Sequence, residues 1–539
     1  MFKRTIVVAA TALLGVSACS PAESHPAAPP PPDGLDDLVH QQLRWGACET
    51  DKLKEAGAEC ATAQVPMDYR QPHGEQITVA ISRVKATDSQ RRRGILMTNP
   101  GGPGGEGRSL ASLLKGQPAA AVYDTIGIDP RGVGASTQLL CEPFNKPDLP
   151  SRPAEADLPR FTKAVQDEEA ACARGGGELR RHVTSMNTAR DMDLIRRVLG
   201  EEKINFLGIS YGTFLGQLYG QMFPQHLDRM VLDSAQNPDT SWYQQEKDNV
   251  TAHGKNVAAW QQWVAERDST FRLGATPAQV RATLDRFAGT LSQRELGALT
   301  DVTAFDNAVG KAARYRSMWA AFAWNLGDLL PALGGGPVDK DAATQIAALA
   351  KQSEDEHASA SQAFRSQDKQ AGKPNGTFAA ITCDWPWPKN PQDYYPDMRR
   401  VSAEMPYGDT INSVAPSSCT FTSGRDPMIP VGPRQYPAGV VIQGEGDTQT
   451  AYPGGVAVAD KLDIPLITVT DSGIHGYYPD RGNSCVNNLV NSYLIDGVLP
   501  PRRAVCAPVA DKVQDIPVGA GPVSRKDTPS LEDIAGRVG

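Results

Sequence analysis

One serine sits in Gly208-Ile209-Ser210-Tyr211-Gly212, the first place in this chain where residue types and spacing point to covalent chemistry. A hydroxyl is a weak nucleophile. It needs a base to take its proton, a carboxylate to orient that base, and N–H donors for the oxyanion that forms. The pattern alone is weak evidence in a chain with 50 glycines, so its flanks decide. Ile204-Asn205-Phe206-Leu207 reads as a strand and residues 213–219 as a helix, which places Ser210 on a strand-to-helix turn. Such a turn is strained and lies close to other backbone, hence the small neighbours. The helix N-terminus adds partial positive charge and free N–H groups.

The oxyanion needs two donors. One is the N–H after the nucleophile, on Tyr211. The other belongs in Asn99-Pro100-Gly101-Gly102-Pro103-Gly104-Gly105, the loop after a strand ending at Thr98, and by position it is Gly102. That loop lacks the spacing of a phosphate-binding loop. Among the 8 histidines, His475 stands out, in the Gly-flanked loop Asp471-Ser472-Gly473-Ile474-His475-Gly476 that follows a strand over 465–470. His25, His40, His73, His253 and His357 fall in a spacer, ahead of the first core strands, or in a helical stretch. Asp447 ends the preceding strand in Gln443-Gly444-Glu445-Gly446-Asp447 and is the expected acid, with Glu445 and Asp233 as rivals. The order is nucleophile, acid, base. The run from Thr125 to Ser136 has glycines but not the dinucleotide-binding spacing, so it reads as a strand with its turn, and Arg131 is expected to buttress the active-site loops by hydrogen bonds.

These residues need a scaffold. At 539 residues the chain suffices for one large interrupted domain or for two or three ordinary ones. With 40% hydrophobic and 22% charged residues it is globular, and a net charge of −8 without massed basic residues argues against a nucleic-acid partner. No stretch reaches the length of a membrane span. Short strands alternate with helical patterns over 35–240, with a helix predicted over 188–199 behind a capping box of Thr188 and Asp191. Residues 241–430 change to long helical stretches, among them 249–268, 278–294 and 339–364, with Thr276-Pro277 as an N-cap and first-turn proline. Strands return over 431–510, and 511–539 reads as a polar tail. The expected fold class is therefore α/β: a mostly parallel sheet with a large helical cap inserted between core strands.

The N-terminus carries an address. Lys3 and Arg4 precede a short apolar run, and Val16-Ser17-Ala18-Cys19 ends it, so residues 1–18 resemble a bacterial lipoprotein signal with Cys19 as the acylated new N-terminus. Residues 19–34, with prolines from 29 to 32, read as a stiff spacer off a membrane surface. Of 9 cysteines, setting Cys19 aside leaves Cys48, Cys60, Cys141, Cys172, Cys383, Cys419, Cys485 and Cys506. The simplest of the many connectivities pairs them sequentially, 48–60, 141–172, 383–419 and 485–506. No zinc-type spacing occurs, and neither metal nor cofactor is expected.

The Asn99 to Gly104 loop, the run Asp129-Pro130-Arg131-Gly132-Val133-Gly134-Ala135-Ser136 and the Gly208 to Gly212 turn together resemble the prolyl aminopeptidase branch of α/β-hydrolases. More narrowly, the chain is similar to the secreted tripeptidyl aminopeptidases of actinobacteria from about residue 40 to 507. The resemblance implies Ser210, Asp447 and His475 as nucleophile, acid and base, and release of short peptides, usually tripeptides, from free N-termini. Glu106 departs from the family, which typically has a small residue there. An exopeptidase must detect an ammonium group, and a carboxylate under the cap would do so. Asp384, in Cys383-Asp384-Trp385-Pro386-Trp387, and Glu106 are the candidates, with the tryptophans as pocket walls. A surface-anchored carboxylic-ester hydrolase on the same triad is the alternative. The intact triad and Gly loop weigh against a third reading, a non-catalytic surface protein.

Overall fold

The computed structural model describes residues 34–363, 373–423, 427–479, 481–519 and 529–538. The expected leader, Cys19 and the spacer up to residue 33 lie outside the described residues. Among the described residues one sheet contains β1 Gly46–Ala47, β2 Glu59–Pro66, β3 Gln76–Val84, β4 Gly94–Asn99, β5 Tyr123–Asp129, β6 Ile204–Ile209, β7 Leu227–Asp233, β8 Gly439–Gly444, β9 Leu466–Val469 and β10 Arg503–Cys506. Their spatial order is β1-β2-β3-β5-β4-β6-β7-β8-β9-β10. Pairings from β1 to β5 through β3 are antiparallel, and all those from β5 onward to β10 are parallel.

Burial explains the strand sequences. Every residue of β4, β5, β8 and β9 is buried, as a parallel sheet covered on both faces requires. Thr62 and Gln64 of β2, near the open edge, still face solvent. Register brings the carboxyl ends of the central strands level: Asn99 pairs with Gly208, Asp233 with both Ile209 and Ile442, and Gly444 with Val469. In open parallel sheets the ligand crevice lies beyond those ends.

Between β7 and β8 the chain builds the cap, whose helices include Trp242–Ala265, Pro277–Leu291, Val302–Arg314, Trp319–Leu333, Lys340–Ala363, Thr377–Thr382 and Tyr395–Glu404. Hydroxyl and carboxylate caps start several of them. Ser241 accepts from the Gln244 N–H, Thr276 from Gln279 with Pro277 at the first turn, and Asp301 from Ala304. Trp319–Leu333 is apolar on nearly all sides, which blurs the 3.6-residue stripe, whereas Val302–Arg314 keeps a stripe of Val302, Phe305, Val309 and Ala312 that was there to be read.

Three expectations need correction. The helix Ser185–Val198 begins earlier than predicted: Thr184 is its N-cap, accepting from the Asn187 N–H at 3.1 Å. Asp191 is not part of a capping box. It lies inside that helix and binds the fully buried Arg131 through two hydrogen bonds, of 2.7 Å to Nε and 2.6 Å to Nη2. Arg131 also donates to the carbonyls of Pro66, Met67 and His182, so it ties β2 to helices rather than supporting active-site loops. Finally, residues 511–519, the start of the expected polar tail, are not free. Asp511 is buried and accepts from the N–H groups of Ser317 and Gly473, and Ile516 O accepts from Arg267. The four sequential cysteine pairs are bonded: Cys48–Cys60, Cys141–Cys172, Cys383–Cys419 and Cys485–Cys506.

Candidate active site

Ser210 caps the helix Tyr211–Met222 with φ 59° and ψ −130°, the strained corner expected of a nucleophile turn. Three glycines make that corner possible by close approach. A Cβ on Gly208 would lie 2.3 Å from Gly212 O, one on Gly212 2.6 Å from Asn99 O, and one on Gly101 2.4 Å from Ile209 O and 2.8 Å from Ser210 Cβ. The Gly101 N–H donates to Asn99 Oδ1 at 2.9 Å and is thereby occupied. Gly102, next along at φ 107°, lines the same cavity as Ser210 and Tyr211. Among the described residues neither the Gly102 nor the Tyr211 N–H donates to another protein group, so both are available to an oxyanion.

His475 Nδ1 lies 2.8 Å from Asp447 Oδ2. An ionised carboxylate only accepts, so Nδ1 carries the proton and Nε2 is left as the base. Burial opposes charge on Asp447, which is fully enclosed. The nearby His475, Arg314 and the Gln449 N–H outweigh it and hold the carboxyl below its ordinary range. Gln449 N–H and Thr450 Oγ1 donate to the same group at 2.9 and 3.1 Å. The rivals go elsewhere. Glu445 is exposed and accepts from the Asp471 N–H, while Asp233 is buried and accepts from the Tyr477 and Tyr478 N–H groups.

Ser210 and His475 share a cavity of about 460 Å³, a size suited to a small ligand. Its floor is core: Gly101, Gly102, Ser210 and Tyr211. The cap supplies the walls, among them Trp242, Glu246, His253, Arg314, Phe378 and Asp409. The cap also holds the catalytic loops. Asn249 donates to Gln449 O at 2.8 Å and accepts from Ala451 N–H at 3.1 Å, and Asn256 donates to Gly446 O at 2.8 Å. Arg314 Nε donates to Gly473 O at 2.8 Å and Arg316 Nε to Asp471 Oδ1 at 2.6 Å.

Neither acid named from the sequence for the substrate ammonium lines this cavity. Asp384 Oδ2 accepts from the N–H and hydroxyl of Ser185 at 2.8 and 3.0 Å, which fastens the cap to the start of Ser185–Val198. Trp385 beside it packs against Phe214 and Trp242, with ring centroids 4.7 and 5.4 Å away, and lines a different pocket. Glu106 is exposed. The carboxylates that do face the cavity are Glu246 and Asp409. Glu246 Oε1 accepts from Trp242 Nε1 at 2.9 Å. Burial pushes its carboxyl up to about 7 against hydrogen bonds from Ser413, Trp242 and Asn249, and the Asp409 charge adds to the rise. No motif announces either residue; only the i,i+4 spacing of Trp242 and Glu246 on one helix face was available to point to the pair.

A doubly covered parallel sheet, a serine on a strained turn at the end of β6, and a His–Asp pair on the loops after β9 and β8 define a serine hydrolase of the α/β-hydrolase fold. Residues 94–330 match the family model for the alpha/beta hydrolase fold, and 410–506 match that of the TAP-like proteins. The chain is 33% identical over 485 residues to a tripeptidyl aminopeptidase of Streptomyces lividans, covering 87% of each. It is 30% identical to a carboxylesterase B of Mycobacterium tuberculosis, covering 87% of this chain and 91% of that one, and 27% identical to the serine protease Hip1 of that species, covering 86% and 91%. The chain belongs to the tripeptidyl aminopeptidase family of α/β-hydrolases and is a serine peptidase.

Proposed function

We propose that the protein removes short peptides, tripeptides by likeness to its relatives, from the free N-termini of peptides or proteins. One observation carries the reading: two carboxylates, Glu246 and Asp409, face the cavity that holds Ser210 and His475. Lys311 and Arg314 line the same cavity, Arg314 turned to Asp447 and Gly473, so a substrate ammonium there would be held by a charge-assisted hydrogen bond to Glu246 or Asp409. Ser210 Oγ attacks the scissile carbonyl while His475 Nε2 takes its proton. The Gly102 and Tyr211 N–H groups receive the oxyanion. His475 then returns the proton to the departing amine, and water activated by the same base releases the peptide from Ser210.

The test compares a tripeptide chromogenic amide with a free N-terminus, its acetylated twin and a short-chain ester, each on wild type, Ser210→Ala and Glu246→Gln. Cleavage of the free-amine amide alone, lost with Ser210→Ala and weakened with Glu246→Gln, is the expected result. Equal cleavage of the acetylated amide, or of the ester only, would replace this reading with the carboxylic-ester hydrolase that one relative's name describes.

The protein acts outside the cytoplasm, held to the outer face of the cell membrane by a lipid on Cys19. Lys3, Arg4 and the run Val16-Ser17-Ala18-Cys19 support this. Cell fractionation of wild type and Cys19→Ser checks it: a wild type recovered from the cytosol would refute the placement.

A further inference from the structure

Strand β7 ends in a second strained corner. Ser234 has φ 58°, close to the 59° of Ser210 on the neighbouring strand, and both Asp233 and Ser234 are fully buried. The corner reaches three parts of the site. Asp233 O accepts from the Ser210 N–H at 3.0 Å, and the Ser234 N–H donates to Ile442 O at 2.8 Å on the strand that leads to Asp447. Ser234 Oγ accepts from the Gly476 N–H at 2.8 Å, and Asp233 Oδ2 accepts from the Tyr477 and Tyr478 N–H groups, each at 2.7 Å. Three consecutive amides immediately after His475 are thus gripped by two adjacent residues, of which Asp233 also holds the backbone of the nucleophile and Ser234 that of the strand leading to Asp447.

Geometry alone does not need a carboxylate there. A neutral amide oxygen would satisfy two N–H groups without the desolvation that burying an ion costs. The charge has a use, because His475 and Asp447 are the ionisable groups that Asp233 feels most. The Tyr477 phenol also lies within its field, and Arg314 of the cap faces Asp447. An anion behind the imidazole favours the imidazolium that forms as Ser210 attacks.

We propose that Asp233 is a positioning residue for His475: it locks the base loop against the nucleophile corner and supplies a second negative charge beside the imidazolium. Burial pushes its carboxyl up to about 6, against the pull of the two amides, so the arrangement is complete above that pH and weakens below it. The inference rests on the Ser210–His475 reading above, and the experiment separates the two. It measures the rate of Ser210 modification by a fluorophosphonate, which needs nucleophile and base but no peptide, as a function of pH.

Asp233→Asn keeps an acceptor for both amides and removes the charge. We expect a plateau rate roughly 3- to 10-fold lower and an acid limb shifted to lower pH by about half a unit. Asp233→Ala also frees the loop, and its rate falls about 100-fold. Ser234→Ala weakens the grip on Gly476 and removes the long 3.4 Å hydrogen bond from its hydroxyl to Asp233 Oδ1 but keeps the charge, so its plateau drops while its acid limb moves less than that of Asp233→Asn. An Asp233→Asn enzyme with the wild-type plateau and limb overturns the proposal. So does a set of variants that lose thermal stability while their pH profiles are unmoved. If Asp233→Ala does not fold, the other two variants decide. Labelling of Ser210→Ala would overturn the triad reading instead.

Discussion

The corner that holds Ser210 and the cap wall that holds Glu246 and Asp409 face each other across one cavity, yet they are built by different means. At the corner, backbone meets backbone: missing Cβ atoms on Gly101, Gly208 and Gly212 allow contacts that any side chain would block. The wall is made of side chains from distant stretches of the chain. Trp242 and Asn249 reach Glu246, and Asn307 and Asn412 bond Asp409. A backbone corner tolerates almost no substitution and keeps its chemistry constant. A wall of side chains can be exchanged residue by residue, which is where relatives on one fold can diverge in substrate.

That contrast can be broken. Ser210→Ala should lower kcat/KM on the free-amine tripeptide amide by about 10⁴-fold or more, since the triad acts as a unit. Residual turnover within tenfold of wild type would remove Ser210 from the reaction. Gly101→Ala places its Cβ 2.4 Å from Ile209 O at a φ of 91°. Its expected cost is about 100-fold in kcat and about 2 kcal/mol of stability by denaturant unfolding. A wild-type kcat would show the corner to be as forgiving as the wall.

Glu246→Gln keeps an acceptor for Trp242 but loses the charge, so KM for the free-amine substrate should rise about 30-fold with kcat changed far less. An equal rise on the acetylated twin would mean that the wall does not read the ammonium. Protonation should imitate this substitution more gently. The Glu246 carboxyl is raised to about 7, so its charge is lost as pH falls through that value. KM for the free-amine substrate should climb several-fold between about pH 8 and 6, and a Glu246→Gln enzyme should lack the climb. The smallest effect belongs to Asp384→Asn. Because Asp384 serves Ser185, about 1 kcal/mol of stability is expected to go, with KM within about twofold of wild type. A large KM effect would return Asp384 to the substrate site.

Much of the core was readable before folding. Ser210, Gly102 and His475 each sit beside a strand whose apolar run is visible locally, and short-range backbone strain dictates glycine at fixed offsets. Asp447 was legible as a strand-end acid, though its choice over Glu445 and Asp233 needed the hydrogen bond to His475. Helix starts were legible where a cap is local, as at Thr276, and misread where a buried partner overruled it, as with Asp191 and Arg131.

The class of fold and the serine on its strand–turn–helix corner were legible in the sequence by itself, because their causes lie within one local unit, whereas the cysteine pairs, 12 to 36 residues apart, were only the simplest of many connectivities until the fold joined them. Tertiary structure decided between Asp447 and its rivals beside His475, that Asp233 grips the loop behind it, and that Glu246 and Asp409 rather than Asp384 and Glu106 line the cavity with Ser210. Those choices depend on which side chains converge when β7, β8 and the cap helices pack, and no local pattern encodes meetings such as those of Asp233 with Tyr477 and Tyr478, 244 and 245 positions away.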